Sequence, residues 1–321
     1  MTLKHLKLVA ALIVLSAATT GAAAQDKYPN RPIMVISPWA AGGVGEISAR
    51  IIGEHMTKTL GQPLVIDSRG GGGSKIGTEF VLKAPKDGYT LLFQNVVHSI
   101  LPTVAGPLNY DPIQDFAAVV HSTSYPLMLV AHPSVPANNP AELIAFMKEN
   151  PGKLTYGSGG PGTAMHFAGE MFKTMAGVEM LHVPYKGMSA ATNDTIAGHV
   201  QLTFGTFSRD VLDSGKLKAL ATTGRSRDPR FPNVPALSEL LPGYRVVAWQ
   251  GFLAPAGVPK TIIATINAAA NSALAEAGVR AKFNEMGLTT VGGTPEEFAI
   301  VIRDDIALFR QIATQAKLTF N

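Results

Sequence analysis

Three glycine-rich turns carry the residues best suited to chemistry, and the chemistry they suit is the grip of an anion. The first is Ala40-Ala41-Gly42-Gly43, the second Arg69-Gly70-Gly71-Gly72-Gly73-Ser74, and the third Gly157-Ser158-Gly159-Gly160-Pro161-Gly162-Thr163. Glycine has no Cβ, so backbone N–H groups in such a turn can approach a ligand closely. Where the turn opens a helix, the unpaired N–H groups of the first helical turn and the positive end of the dipole add to the attraction. Each charge-assisted hydrogen bond made there is worth about 1.5–3 kcal/mol. A single loop of this kind reads more simply as a tight turn. Two that open helices in different halves of the chain read as opposite sides of one cleft.

Other chemistries are poorly served. With no Cys, thiol nucleophiles, thiolate metal sites and disulfides are excluded. The eight His are scattered and no H-E-x-x-H occurs, so neither a metal nor any other cofactor is expected. Gly157, Gly159 and Gly162 formally match G-x-G-x-x-G, with Glu179 near the offset of a ribose-binding acid. Pro161 interrupts that turn, and a dinucleotide is not expected. Gly152-Lys153 and Gly215-Lys216 are each followed by Leu, where a phosphate-binding loop needs a hydroxyl. Gly187-Met188-Ser189-Ala190-Ala191 lacks the final glycine of a nucleophile elbow. A hydrolase built on Ser158 and His166 has no evident acid partner, so the chain reads as a binder with no catalytic residues rather than an enzyme. His166, in the first turn after the third loop, is read either as a ligand donor or as local packing. Glu46, in the first turn of the first helix, complements the helix dipole.

These loops need strands behind them and helices in front. Ile33–Ser37 reads as a buried strand, and Ile47, Ile51, Met56 and Leu60 follow at helical spacing until Gly61 stops the helix. Further strands are expected at 64–67, 90–93, 127–131, 154–156, 201–204 and 217–222. Asn139-Pro140-Ala141-Glu142 has the form of a capping box with Pro at the first helical position. Thr294-Pro295-Glu296-Glu297 opens the last helix in the same way, with Phe298, Ile302, Ile306 and Phe309 along one face. Alternating strands and helices predict an α/β fold of parallel sheets covered on both sides. The extended segments 124–133 and 244–255 lack helix signals. If both are crossings, the middle of the chain forms one domain and the two ends form the other; periodicity alone leaves a linear split open.

Residues 1–24 differ from the rest. Lys4, His5 and Lys7 precede an apolar run over 8–18, and Ala22-Ala23-Ala24 then stands before Gln25. That pattern predicts a cleavable signal peptide and a periplasmic location. The run is too short to span a bilayer, which needs about 20 residues. A formal charge of +4 over 321 residues, without a basic stripe, argues against nucleic acid.

The ordered motifs carry a resemblance. Tyr28-Pro29-Asn30-Arg31-Pro32-Ile33 is followed by Ser37-Pro38-Trp39-Ala40-Ala41-Gly42-Gly43, Leu60-Gly61-Gln62-Pro63, and Asp87-Gly88-Tyr89-Thr90-Leu91-Leu92. Tyr156 to His166, His182-Val183-Pro184-Tyr185-Lys186-Gly187 and Trp249 to Gly257 come next. In this order they resemble the Bug-type receptors of tripartite tricarboxylate transporters along essentially the whole mature chain. The resemblance implies a type II periplasmic-binding-protein fold, two α/β domains joined by two crossing strands with a ligand cleft between them. Here those would be 25–125 with 247–321, and 126–246. It implies capture of a small carboxylate (a dicarboxylate, tricarboxylate, acidic amino acid or aromatic acid) and delivery by a monomeric receptor to membrane permease subunits. A receptor feeding a sensor kinase would need the same liganded shape. The implied ligand contacts are Trp39, Ala40, Ala41, Gly42 and Gly43 on one side, and Ser158, Gly159, Gly160, Gly162, Thr163 and His166 on the other. Phe204, Gly205 and Thr206 match a further pocket segment, and Gln94 and Asn95 are expected just after a strand. Two features depart from the family pattern. Glu46 stands where Asp is usual, and because an acid there can meet the ligand ammonium in members that bind amino acids, Glu46 is counted among the implied ligand contacts. The Arg69 loop carries four glycines followed by Ser74 and Lys75.

Overall fold

A computed structural model describes residues 28–39, 41–104 and 106–315. The 1–24 segment read as a signal peptide and Ala40 of the first loop lie outside the described residues. The chain opens with β1 (Ile33–Ser37), helix Val44–Leu60, β2 (Leu64–Ser68), helix Lys75–Leu82, β3 (Thr90–Asn95) and helix Val97–Val104. The long β4 (Phe116–Pro126) runs almost directly into β5 (Met128–Ala131). Helix Pro140–Glu149, β6 (Thr155–Ser158), helix Ala164–Ala176, β7 (Leu181–Pro184) and helix Met188–Ile196 follow, then β8 (Leu202–Gly205) and β9 (Lys218–Thr222). The chain returns through β10 (Val247–Pro255) and ends with helices Lys260–Ala275 and Ala277–Glu285, β11 (Thr289–Gly292) and helix Pro295–Gln315.

The strands form two sheets, ordered β11-β4-β10-β3-β1-β2 and β7-β6-β8-β5-β9. Without the edge strand β11 the two orders are the same: three parallel strands, one antiparallel strand, then a fourth parallel to the first three. This is the type II periplasmic-binding-protein arrangement. The expectation of parallel sheets is corrected by it. β10 is antiparallel to both β3 and β4, and β5 is antiparallel to both β8 and β9. The cause is the crossing itself: a strand that arrives from the other sheet enters from the opposite end. Hydrophobic periodicity carries no information on strand direction, so the alternation of elements could not reveal this.

Direction also fixes where the two sheets meet. β4 is parallel to β3 and β1, so the chain leaves the first sheet at the edge where those strands end. β5 is antiparallel to β8, which is parallel to β6, so the chain enters the second sheet at the edge where β6 and β8 end. The carboxyl ends of β1 and β6 therefore lie on facing edges of the two sheets, the position where open α/β sheets bind ligands.

Local signals set the helix boundaries. Gly61 is left-handed at φ 69° and returns its N–H to Thr57 O, which closes the first helix. The Asn139 side chain accepts from Glu142 N at 2.9 Å, with Pro140 in the first turn. One apolar core lies between helices Val44–Leu60 and Lys260–Ala275 and includes Val35, Ile52, Phe93 and Ile266, all buried. A second core continues beneath both sheets, from Leu92 through Leu129 and Phe204 to Ile302 and Phe309. The C-terminal helix joins the two units here: Phe309 packs on Phe167 with ring centroids 5.1 Å apart.

Candidate functional site

Each facing edge presents a glycine loop that runs straight into a helix. In the first, the chain leaves β1 at Ser37 and reaches the amino end of helix Val44–Leu60 at Gly43, which caps it without any side-chain hydrogen bond. A glycine cap gives the first-turn N–H groups no side-chain acceptor of its own. Trp39 is half-buried, and Ala41 and Gly42 are exposed. The loop is held from behind by Glu46. One carboxylate oxygen accepts from Gly42 N at 2.6 Å and the other from Arg50 Nε at 2.7 Å. The Gly42 N–H and then the Arg50 guanidinium hold the Glu46 carboxyl below the usual carboxylate range. Both its oxygens are committed within the protein, so Glu46 is a clasp for the loop. Behind it, Ser37 and Ser68 are register partners at the ends of β1 and β2. The Ser68 hydroxyl adds to the lowering of the Glu46 carboxyl, and the Ser37 hydroxyl is buried without a protein partner among the described residues.

The second loop is wired more heavily. The Ser158 hydroxyl is fully buried, accepts from Gly160 N at 3.1 Å and sits 2.7 Å from His182 Nε2. Thr163 caps helix Ala164–Ala176: its hydroxyl accepts from His166 N at 3.3 Å and donates to Gly160 O at 2.8 Å. The His166 Nδ1 atom accepts from Gly162 N at 3.3 Å. Its ring stacks on His182, with centroids 4.2 Å apart and planes 16° from parallel. Burial, and then the neighbouring His182, push the His166 imidazole down to about 4. It is therefore neutral at ordinary pH, which an Nδ1 acceptor requires. Burial lowers His182 as well. Gly162 has φ 75°, and a Cβ there would lie 3.0 Å from Val104 Cγ2 at the end of helix Val97–Val104. The second loop thus abuts the unit that carries the first.

The arrangement offers main-chain donors and neutral side chains. It has no nucleophile with a free base: Ser158 faces His182, not His166, and both groups are engaged inside the loop. Among the described residues no cluster of His, Asp or Glu has the composition to hold a metal.

The profile of the tripartite tricarboxylate transporter family receptor matches residues 48–318. The chain belongs to that family. It is 31% identical to the protein BugT of Bordetella pertussis (strain Tohama I) over 329 residues, covering 99% of this chain and all of that one. Two solved structures are similar in fold as well as sequence. One is R. palustris Rpa4515 with adipate, 31% identical with TM-score 0.81, over 92% of this chain and all of that one. The other is MatC from Rhodopseudomonas palustris with bound malate, 29% identical with TM-score 0.76, over 89% of this chain and 99% of that one. The transporter receptors of this family are periplasmic solute-binding proteins.

For this receptor the remaining expected contacts divide by burial. Gln94 and Asn95 are the last two residues of β3 rather than residues beyond it. Gln94 is fully buried, and its amide donates to Ser74 Oγ at 3.3 Å and Thr78 Oγ1 at 3.2 Å. That ties β3 to the Arg69 loop, whose Arg69 pairs with Asp67 at 2.7 Å and lies over Phe80. Asn95 Oδ1 accepts from Val97 N at 2.9 Å. Phe204 is fully buried in the core, with Tyr156 beside it. Within that segment Gly205 is buried and Thr206 is half-exposed. Gly159 is half-buried and Gly160 is buried, with φ 114°. Sequence reasoning named His182 only within a motif and gave it no role. Arg50 and Glu170 were missed altogether. Glu170 accepts from Tyr156 Oη at 2.7 Å and pairs with Lys173 at 2.9 Å, anchoring the helix behind the second loop. The i, i+4 spacing of Glu46 and Arg50 was a readable signal for the first clasp.

Proposed function

We propose that this receptor captures a small carboxylate between the Trp39–Gly43 and Ser158–Thr163 segments by cleft closure and delivers it to the membrane permease of a tripartite tricarboxylate-type transporter. The observation that carries this reading is the pair of helix-opening glycine loops on facing sheet edges, one with an uncapped helix start. A carboxylate placed between them gains main-chain hydrogen bonds from both sides only in the closed form, so binding shifts the population toward closure. The neutral His166 and the committed Glu46 leave recognition to N–H dipoles, which suits dicarboxylates and related acids. Adipate and malate in two relatives favour that class. The proposed ligand contacts are the residues named on these two loops, with Thr206 at the rim. The two units, 25–125 with 247–321 and 126–246, would move as the lobes. Export through a cleaved 1–24 leader, the monomeric state and binding without turnover belong to the same proposal.

The test is a thermal-shift screen of the mature protein against mono-, di- and tricarboxylates, acidic amino acids and aromatic acids, followed by calorimetry. A bound acid at 100 times its dissociation constant stabilises the fold by about 2.7 kcal/mol. Folded protein that gave no shift with any of these classes would overturn the reading, and so would steady product formation from a bound ester or amide.

A further inference from the structure

A cavity lies where the crossing strands β4 and β10 pass from one sheet toward the other, away from both glycine loops. Its volume is about 360 Å³, and its walls come from both crossing strands, from the 224–229 loop after β9 and from the C-terminal helix. That size is ample for a small acid, since ligand pockets begin at about 300 Å³. None of Trp39, Gly42, Gly43, Ser158 or Gly160 lines it. The polar groups on its walls are largely matched. Arg227 forks onto Glu239 with two bonds of 2.8 Å, and Asp228 holds Arg230 at 2.6 Å. Asp305, on the C-terminal helix, accepts from Trp249 Nε1 at 2.8 Å and from Arg245 at 3.3 Å.

Two groups are less fully engaged. Arg225 lines the cavity and, among the described residues, makes no ion pair at bonding distance, although its charge acts on the Asp305 carboxyl across the cavity. His121 also lines it, and its Nε2 is buried with no hydrogen-bond partner. A buried polar atom without a partner is uncommon and points to an unaccounted neighbour. Burial keeps the His121 ring down near 4, so it is neutral, and burial raises the Asp305 carboxyl to about 6. Two groups perturbed by desolvation beside one cavity are a mark of binding sites. The remaining walls are mixed: Pro126, Val247 and Val301 are apolar, while Ser124, Ser226 and Thr289 carry hydroxyls.

We propose that this hinge cavity is a second ligand site, for a carboxylate with an apolar body, whose charged end pairs with Arg225 while its body lies against Pro126, Val247 and Val301. The orphaned His121 Nε2 provides the polar contact at the inner wall. The site does not depend on the glycine loops and would stand if they bound something other than a carboxylate.

The chain contains two tryptophans, Trp39 in the first loop and Trp249 on the cavity wall. A Trp39→Phe protein therefore keeps its one remaining indole, Trp249, on the wall of the hinge cavity. Cyclohexanecarboxylate, titrated into it with excitation at the red edge of the indole band, is expected to give a saturable change. In an Arg225→Glu background the affinity should fall roughly tenfold or more, and Arg225→Lys should restore most of it. Arg225 is exposed, so these variants are expected to fold, and circular dichroism checks that. Three results overturn the proposal. They are no saturable change with folded protein, a change equally strong in Arg225→Glu (which reports the glycine-loop cleft instead), and an equal response to inorganic phosphate, which would deny the apolar walls any part.

Discussion

The loop before helix Val44–Leu60 and the loop before helix Ala164–Ala176 hold equivalent places in their sheets, yet different chemistry holds them. The first is open: Gly42 is exposed, a Cβ on it would meet nothing within 4 Å, and among the described residues an ionised carboxylate, Glu46, ties it down. The second is mostly buried, with Pro161 exposed, and is held by neutral groups. Ser158, Thr163, His166 and His182 form one connected set around Gly160 and Gly162, pressed against Val104 of the opposite unit. A cleft needs one face already shaped for the ligand and one that can adjust as it closes. The second loop fits the first duty, since a fully satisfied polar network is rigid. The first loop fits the other, because among its described residues the Glu46 clasp on Gly42 N is the side-chain hydrogen bond that holds it.

Substituting alanine for one glycine in each loop is the strongest way to break this comparison. Gly160 has φ 114°, and a Cβ there would lie 3.2 Å from the Tyr185 carbonyl oxygen. Gly160→Ala is expected to cost roughly 4 kcal/mol, from backbone strain and the clash together. Gly42 has φ 80° in open space, and Gly42→Ala should cost only about 1 kcal/mol. Urea unfolding midpoints measure both. Equal costs would mean that the second loop is no more tightly determined than the first.

Acid sharpens the contrast next. The folded-state pKa of His166 is depressed from 6.5 to about 4, so between those values the unfolded chain binds a proton that the folded chain refuses. Stability therefore falls as pH drops through that window, by about 3 kcal/mol for this residue. Glu46 behaves differently: its carboxyl is lowered, so its contribution persists above the ordinary carboxylate range and is lost only below it. His166→Gln should remove much of the loss of stability between pH 6.5 and 4. His98 and His121, also held near 4 by burial, keep part of the slope. Denaturation at a series of pH values tests this, and an unchanged slope in the variant would show that His166 titrates normally.

Ser158→Ala comes third. It leaves Gly160 N–H and His182 without their partner in a buried place, at a cost of about 2 kcal/mol. The ligand affinity of the proposed cleft should fall with it, because the loop loses its fixed shape. A neutral Ser158→Ala would mean that the Ser158–His182 contact contributes nothing to the loop.

What could be read from the chain follows the range of the interactions. β1, the Gly61 stop and the Asn139 cap are local and were legible, because each depends on residues within a turn of one another. The glycine loops were legible for the same reason. His182 was not, since it meets Ser158 from another strand, 24 residues away. β7 and β11 have four residues each and mixed burial, so neither shows a period. Phe204 shows the limit from the other side. An apolar residue at the end of a strand fits a pocket or a core equally well, and only its complete burial separates the two. The direction of β5 and β10 left no trace in composition, although their extended, Pro-flanked ends marked them as unusual.

The smallest expected effect lies in Glu46, and it tests the comparison where it is most delicate. Glu46→Gln keeps one oxygen to accept from Gly42 N, while the charge and the second acceptor for Arg50 are lost. If Glu46 is only a clasp, affinities for malate and for aspartate should fall together, by about threefold, because both acids meet the same slackened loop. If Glu46 turns outward on closure to meet a ligand ammonium, aspartate alone would suffer and malate would be spared. Calorimetry with the two acids on the wild-type and variant proteins separates these outcomes. The committed oxygens of Glu46, at 2.6 Å from Gly42 N and 2.7 Å from Arg50 Nε, favour the parallel fall. An outward turn would have to break both bonds, and it would release the very loop that the ligand needs in place.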